Sequence, residues 1–337
     1  MSKDLQLSRA LAGGSFLVMG RAGMDLMPKP DGTAIEEASN FWADLGGSAA
    51  NVAVGLVRQG ARAALLTSLS DDAVGRFCLQ RLRHYGVQIE HAAQKKGEQR
   101  SSLALSETRL TEHQTVIYRN NAADFHMDID QVRALDFTRF DALVTAGTVF
   151  AAEPSRAASF YAFEKASEMG LPIIFDIDYR PYSWASPKEA AQILSRAGAL
   201  ADVIVGNDEE FGFMAGDFAQ GLTKARSLLG QNEGVAQLVI YKMGHKGAVT
   251  FVQKESIPTG IYEVEALKPT GAGDGFLAGF LAAQMQGLPL KDALLRGSAM
   301  AAYVVARAGC APAMPDGAAL SQFIASHSGP SRPPMIT

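Results

Sequence analysis

A doubly wound α/β fold, with a mostly parallel sheet flanked by helices and a small separate β-sheet lid, is what this sequence predicts, on three observations. Short, uniformly apolar runs at 16–19, 63–66, 142–145, 173–177, 203–205 and 238–241 read as strands covered on both faces. Longer stretches with apolar residues at helical spacing, 49–59, 73–85, 154–169, 187–200 and 208–214, alternate with them. Two segments, 25–45 and 98–119, break the alternation with irregular or period-two patterning such as Ser102-Leu103-Ala104-Leu105, which predicts strands of a second sheet. Alternating β and α units form a parallel sheet with right-handed crossovers, because each helix must return over one face before the next parallel strand begins.

The 337 residues suffice for one large α/β domain. We expect that domain over 15–328, with the lid segments inserted, a 14-residue extension before it (1–14) and a flexible Gly-Pro-Ser-Arg-Pro-Pro tail at 329–337. The last third adds two helices, 275–286 and 290–307, separated by Gly287-Leu288-Pro289. A formal net charge of −4, with scattered rather than striped Lys and Arg, argues against nucleic acid as a partner. Two cysteines and six histidines without metal-ligand spacing exclude a structural zinc and fit a reducing cytoplasm. The apolar stretch 10–19 imitates a signal peptide, but Gly13-Gly14-Ser15 interrupts it. No run reaches the ~18 uninterrupted apolar residues of a membrane helix. Free edges on the lid strands leave room for a homodimer through the lid, without fixing the oligomeric state.

The chemistry concentrates in Lys268-Pro269-Thr270-Gly271-Ala272-Gly273-Asp274-Gly275-Phe276. Glycines one residue apart, opening an apolar helix, turn backbone N–H groups toward one point and create an anion hole at a helix N-terminus. Asp274 stands in that hole, where a field that favours anions makes a carboxylate useful as a general base beside a phosphoryl group. The spacing fits neither a Walker A loop nor a dinucleotide fingerprint, which also removes a nicotinamide dehydrogenase from consideration. A helix-entry turn with Asp274 as N-cap is the competing reading.

Five further groups surround it in the sequence. Gly46 and Gly47 open a helix of small residues in which Asn51 offers a donor and an acceptor to a polyol; close helix–sheet packing would also explain the glycines. Asp25 follows a strand and a turn, where a carboxylate can accept from vicinal hydroxyls or simply face solvent. Asn207 and Glu210, three apart, suit a Mg²⁺ held through water beside phosphates, or an N-cap with a first-turn acid. Arg119 and Arg180 suggest an acidic substrate, with ion pairs to Asp124 or Asp178 as the alternative. Lys242, Gly244 and Gly247 form a turn between two strands that can border a nucleotide.

In this order, the glycine pair with Asn51 and the Gly-Ala-Gly-Asp loop resemble the ribokinase-like carbohydrate kinases of the phosphofructokinase B family, over nearly the whole chain. The resemblance implies a ribokinase-like fold with a lid. It also implies Asp274 as catalytic base and Gly271, Ala272 and Gly273 as the anion hole. Asn207 and Glu210 would be linked to Mg²⁺, and Asp25, Gly47 and Asn51 would contact the sugar. It implies ATP as phosphoryl donor and leaves room for K⁺. Within the family, GRAGMDL at 20–26, RNNAADF at 119–125 and DIDYRPYSW at 176–184 look most like the 5-dehydro-2-deoxygluconokinases of inositol breakdown. The last two segments are also similar to 2-dehydro-3-deoxygluconokinases, in which arginines matching Arg119 and Arg180 meet a sugar-acid carboxylate. A fructokinase-type sugar kinase and, outside enzymes, a sugar-acid sensor on the same fold are the rivals.

Overall fold

A computed structural model describes residues 4–109, 111–230, 234–253 and 255–335. In chain order the strands are β1 (Ser15–Met19), β2 (Gly23–Lys29), β3 (Asn40–Gly46), β4 (Arg62–Ser70), β5 (Ala92–Lys95), β6 (Ser102–Ser106), β7 (Thr115–Tyr118), β8 (Ala142–Ala146), β9 (Ile173–Asp176), β10 (Val203–Asn207), β11 (Leu238–Lys242), β12 (Ala248–Val252) and β13 (Glu255–Thr259). The helices are α1 (Asp4–Leu11), α2 (Ser48–Arg58), α3 (Ala73–His84), α4 (Ile129–Arg133), α5 (Ser155–Glu168), α6 (Pro187–Ala199), α7 (Asp208–Ala215), α8 (Gly221–Ser227), α9 (Ala272–Met285), α10 (Leu290–Val305) and α11 (Gly317–Ser326).

Nine strands form one sheet in the order β13-β12-β11-β10-β9-β8-β1-β4-β5, parallel from β5 to β11 and antiparallel at β12 and β13. Its strands are apolar throughout because both faces are covered. In β1, Phe16 and Val18 enter one core while Leu17 and Met19 enter the other. The first core is closed by α9, buried from Gly275 to Gln284 and packed between α2 and α10. A side chain such as Phe280, fully buried there, contributes about 2–3 kcal/mol.

The second sheet, ordered β3-β2-β6-β7, is the expected lid. Its outer strands β3 and β7 expose Phe41, Val116 and Tyr118, the edges on which such a dimer would form. Strand β2 leaves the large sheet one turn after β1, so the lid grows directly out of the sheet's carboxyl edge. Among the described residues no helix is long and apolar enough to cross a membrane.

The described parts of both expected chain ends, 4–14 and 329–335, are tied to the body. Residues 4–11 of the extension are α1, whose Leu11 is fully buried and whose Ser8 Oγ donates to the Gln284 carbonyl at 2.9 Å. In the tail, the Ser331 amide donates to the Ile261 carbonyl at 2.7 Å, and Ile261 N–H donates back to Ser331 Oγ at 3.1 Å. Proline-rich composition predicts looseness only where no neighbouring backbone offers pairing, and here the segment after β13 offers it.

Candidate active site

The carboxyl ends of β1, β9, β10 and β11, the N-termini of α2 and α9, and the inner face of the lid enclose one cavity of about 1370 Å³. Open α/β sheets bind ligands at this edge, and the volume holds two small substrates side by side. Helix α9 starts at Gly271, whose φ of 83° places it in the left-handed region. The first intrahelical bond runs from Gly275 N–H to the Gly271 carbonyl, so the amides of Ala272, Gly273 and Asp274 precede the ladder. All three residues line the cavity. They form an anion hole with the positive end of a 14-residue helix behind it.

Asp274 sits in the first turn, and Asn51 Nδ2 donates to its Oδ2 at 2.8 Å across 223 residues of sequence. Its pKa is pushed up to about 7, first by burial and then by the charges of Asp178 and Asp176, against the opposing effects of Asn51 and Arg180. A carboxyl with that pKa can accept and release a proton near neutrality. The N-cap reading fails in its literal form: the capping position belongs to Gly271, and Asp274 stands inside the helix.

On the lid side, Asp25, Gly47 and Asn51 line the cavity together. Asp25 Oδ1 and Asn51 Oδ1 are buried without a hydrogen-bond partner among the described residues, which is costly unless a ligand with hydroxyls supplies one. Burial raises the Asp25 pKa to about 6, with Arg21 and Lys268 pulling it the other way. Gly46 does not line the cavity. A Cβ there would lie 1.9 Å from Asp25 Oδ1, so the residue works by making room for that carboxylate. Gly47, at φ 101°, brings helix α2 against the Arg21 carbonyl, 2.4 Å from where its Cβ would be.

The two arginines singled out by sequence reach the cavity but arrive already paired. Arg119 is buried; its Nε donates to Asp124 Oδ2 at 3.1 Å, its Nη2 donates to the same oxygen and, at 3.2 Å, to the Thr148 carbonyl, and Phe125 stacks beneath it. Arg180 Nη2 lies 2.7 Å from Asp178 Oδ1. Both side chains thus take the ion-pair alternative, while their remaining edges border the cavity.

Across the cavity stand Asp176, Asn207, Glu210 and Lys242. Asn207 and Glu210 form a capping box: Asn207 Oδ1 accepts from Glu210 N–H at 2.8 Å and Glu210 Oε2 accepts from Asn207 N–H at 2.8 Å. Glu210 Oε1 also accepts from Tyr179 N–H at 3.3 Å. Its pKa rises to about 7, chiefly by burial and then by Asp176, whose own pKa is raised first by burial. Among the described residues no three His, Cys, Asp or Glu side chains converge closely enough to hold a metal by themselves. A Mg²⁺ here would therefore need water and phosphate oxygens to complete its shell, and crowded carboxylates are the donors it prefers. Lys242 lies 3.4 Å from where a Gly273 Cβ would be, at the mouth of the anion hole. Gly244 and Gly247 turn the chain from β11 into β12 and border the same end of the cavity.

Three residues of the site escaped the reading of candidate roles. Asp176 ends a strand and reads there as a boundary. Arg21 shares a turn with Asp25. Lys268 is fully buried, its Nζ donating to the Thr270 carbonyl at 2.6 Å and the Val304 carbonyl at 3.4 Å, which fastens the loop to α10. Those two carbonyls hold an ammonium and offer no empty cradle for K⁺ at that point.

Known proteins are similar to this chain in sequence and in fold. A 5-dehydro-2-deoxygluconokinase of Geobacillus kaustophilus is 32% identical over 317 residues, covering 93% of this chain and 94% of its own. One of Photobacterium profundum is 33% identical over 313 residues, covering 91% and 94%. Among solved structures, a fructokinase double mutant from Vibrio cholerae O395, with fructose, ADP and potassium bound, superposes with a TM-score of 0.81 at 26% identity over 93% of this chain and 98% of that one. The pfkB family carbohydrate kinase pattern matches residues 15–317. From the first strand of the large sheet to the start of α11, and through the loop that holds Asp274, the chain belongs to the pfkB family of carbohydrate kinases and is a sugar phosphotransferase.

Proposed function

We propose that this chain is an ATP-dependent kinase that phosphorylates the terminal primary hydroxyl of 5-dehydro-2-deoxygluconate, a cytoplasmic step of inositol catabolism. The observation that carries the reading is the placement of Asp274, held by Asn51 at 2.8 Å, on the boundary between the anion hole and the Asp25 side of the cavity. The names of the relatives at 32% and 33% identity support the choice of sugar acid. The two buried free thiols, Cys78 and Cys310, fit a reducing compartment.

Asp25 and Asn51 hold the sugar's hydroxyls and aim the terminal one at Asp274. The Asp274 carboxylate takes that hydroxyl's proton as the new O–P bond forms and the bond from the γ-phosphorus to the ADP oxygen breaks. The amides of Ala272, Gly273 and Asp274, with Lys242, stabilise charge on the transferring oxygens. Asn207 and Glu210, with Asp176 beside them, would hold Mg²⁺ through water, and the ion would neutralise phosphate charge. The lid, built on β2, closes over the sugar and keeps water from the phosphoryl group.

An ADP-release assay over 5-dehydro-2-deoxygluconate, 2-dehydro-3-deoxygluconate and fructose tests the assignment. The first should give the highest kcat/KM by at least about tenfold, a margin that one well-placed polar contact supplies. A higher value for either other sugar would reassign the substrate, and no ATP-dependent turnover of any of them would remove the sugar assignment altogether.

A further inference from the structure

The cations that line the sugar half of the cavity differ in how far hydrogen-bonded partners already occupy them. Arg119 is paired with Asp124, and Arg180 with Asp178. Lys268 is spent on the carbonyls of Thr270 and Val304. Arg21 has only the Ser102 hydroxyl, to which Nη1 donates at 3.2 Å, and among the described residues no carboxylate lies within 4 Å of it. It is partly buried, lines the cavity, and acts electrostatically on both Asp25 and Asp178 without touching either.

Its backbone is tied to the start of α2. The Arg21 carbonyl accepts from Ala50 N–H at 3.2 Å, one residue before Asn51, and Gly47 packs against the same carbonyl. Ser102 belongs to β6, a lid strand, so the guanidinium spans the joint between lid and body. Asp25 and Asp178 act on this guanidinium only at longer range, so its N–H groups have no carboxylate bonded to them, and its planar fork matches a carboxylate with two parallel N–H bonds.

We propose that Arg21 determines the preference for an acid: its guanidinium receives the carboxylate of a keto-aldonic substrate, while Arg119 and Arg180 are held to their own aspartates and shape the wall. The inference rests on the sugar-acid reading above. It adds the residue that would distinguish an acid from a neutral sugar of the same length.

The test compares wild type with Arg21→Gln and Arg21→Lys for 5-dehydro-2-deoxygluconate and for its neutral analogue, in which the carboxylate is reduced to an alcohol. Dissociation constants come from calorimetry and kcat/KM from ADP release. In Arg21→Gln the preference for the acid over the neutral analogue should fall about 30- to 100-fold, the usual loss when one partner of a desolvated charge pair is removed. Arg21→Lys should recover part of that ratio, since it restores charge without the fork. An unchanged ratio in Arg21→Gln overturns the proposal, as does equal weakening of both ligands. If the wild-type protein binds no sugar acid, the substrate reading itself fails, an outcome seen before any variant is made.

Discussion

Replacing Asp274 by Asn will lower kcat by about 10³-fold or more while leaving nucleotide affinity within about threefold, because the change removes the proton acceptor and little else. The substituted amide keeps an oxygen to accept from Asn51 Nδ2, so the loop geometry stays. Steady-state ADP release, together with nucleotide binding by calorimetry, measures both halves. Retention of more than a tenth of wild-type turnover is incompatible with a general base at this position. The same variant should be more stable without ligand. A carboxyl whose folded pKa of about 7 lies above its ordinary 3.8 favours folding only while protonated, so its contribution is lost as pH rises from about 4 to 7. At pH 8 the asparagine protein should gain about 1–3 kcal/mol, discounted for partial solvent access, and the gain should shrink as the pH is lowered toward 4.

Gly46→Ala should raise the KM for the sugar about 100-fold and leave that for ATP within about twofold. Gly46 has ordinary backbone torsions, so alanine fits the chain itself, but its Cβ would fall 1.9 Å from Asp25 Oδ1 and 2.2 Å from Oδ2. The carboxylate must swing aside, and displacements of about 1 Å at a binding group are enough for a loss of that size. Varying each substrate in turn separates the effects. A sugar KM unchanged by the substitution would mean that Asp25 does not touch the sugar, and a parallel rise for ATP would mean that the damage spreads through α2.

Much of this was legible in the sequence for identifiable physical reasons. Strands β1, β8, β9, β10 and β11 are covered on both faces and therefore stand out as unbroken apolar runs. Strand β13, Glu-Ser-Ile-Pro-Thr, lies at the sheet edge, where exposure permits polar residues and a proline, and no period marks it. Helix α1 is held to α9 through its buried Leu11 and the Ser8 bond to the Gln284 carbonyl, contacts that the apolar pattern does not announce.

The site divides in the same way. Gly271 and Asp274 declare themselves because loop, anion hole and acid are contiguous. The bond from Asn51 to Asp274 cannot be read from spacing, since the two residues lie 223 apart and only the α2–α9 packing brings them together. For the arginines, composition identifies a charge but not what neutralises it. Asp124, five residues after Arg119, and Asp178, two before Arg180, were near enough in sequence to be named as partners, and they are. Arg21 was passed over beside Asp25 because a cation's availability emerges only when its neighbours' pairings are known.

The central claim is that Asp274 must be ionised to accept a proton, and the pH dependence of kcat at saturating Mg²⁺, ATP and sugar tests it most directly. Below about pH 7 the rate should fall tenfold per unit as Asp274 takes up its proton, and above it the rate should level off. The residual kcat of Asp274→Asn should lack that inflection, because bound Mg²⁺ and sugar hold Glu210 and Asp25, whose free values lie near 7 and 6, in their ionised forms. A variant that kept the wild-type inflection near pH 7 would assign the titrating group to another residue and contradict the role given to Asp274.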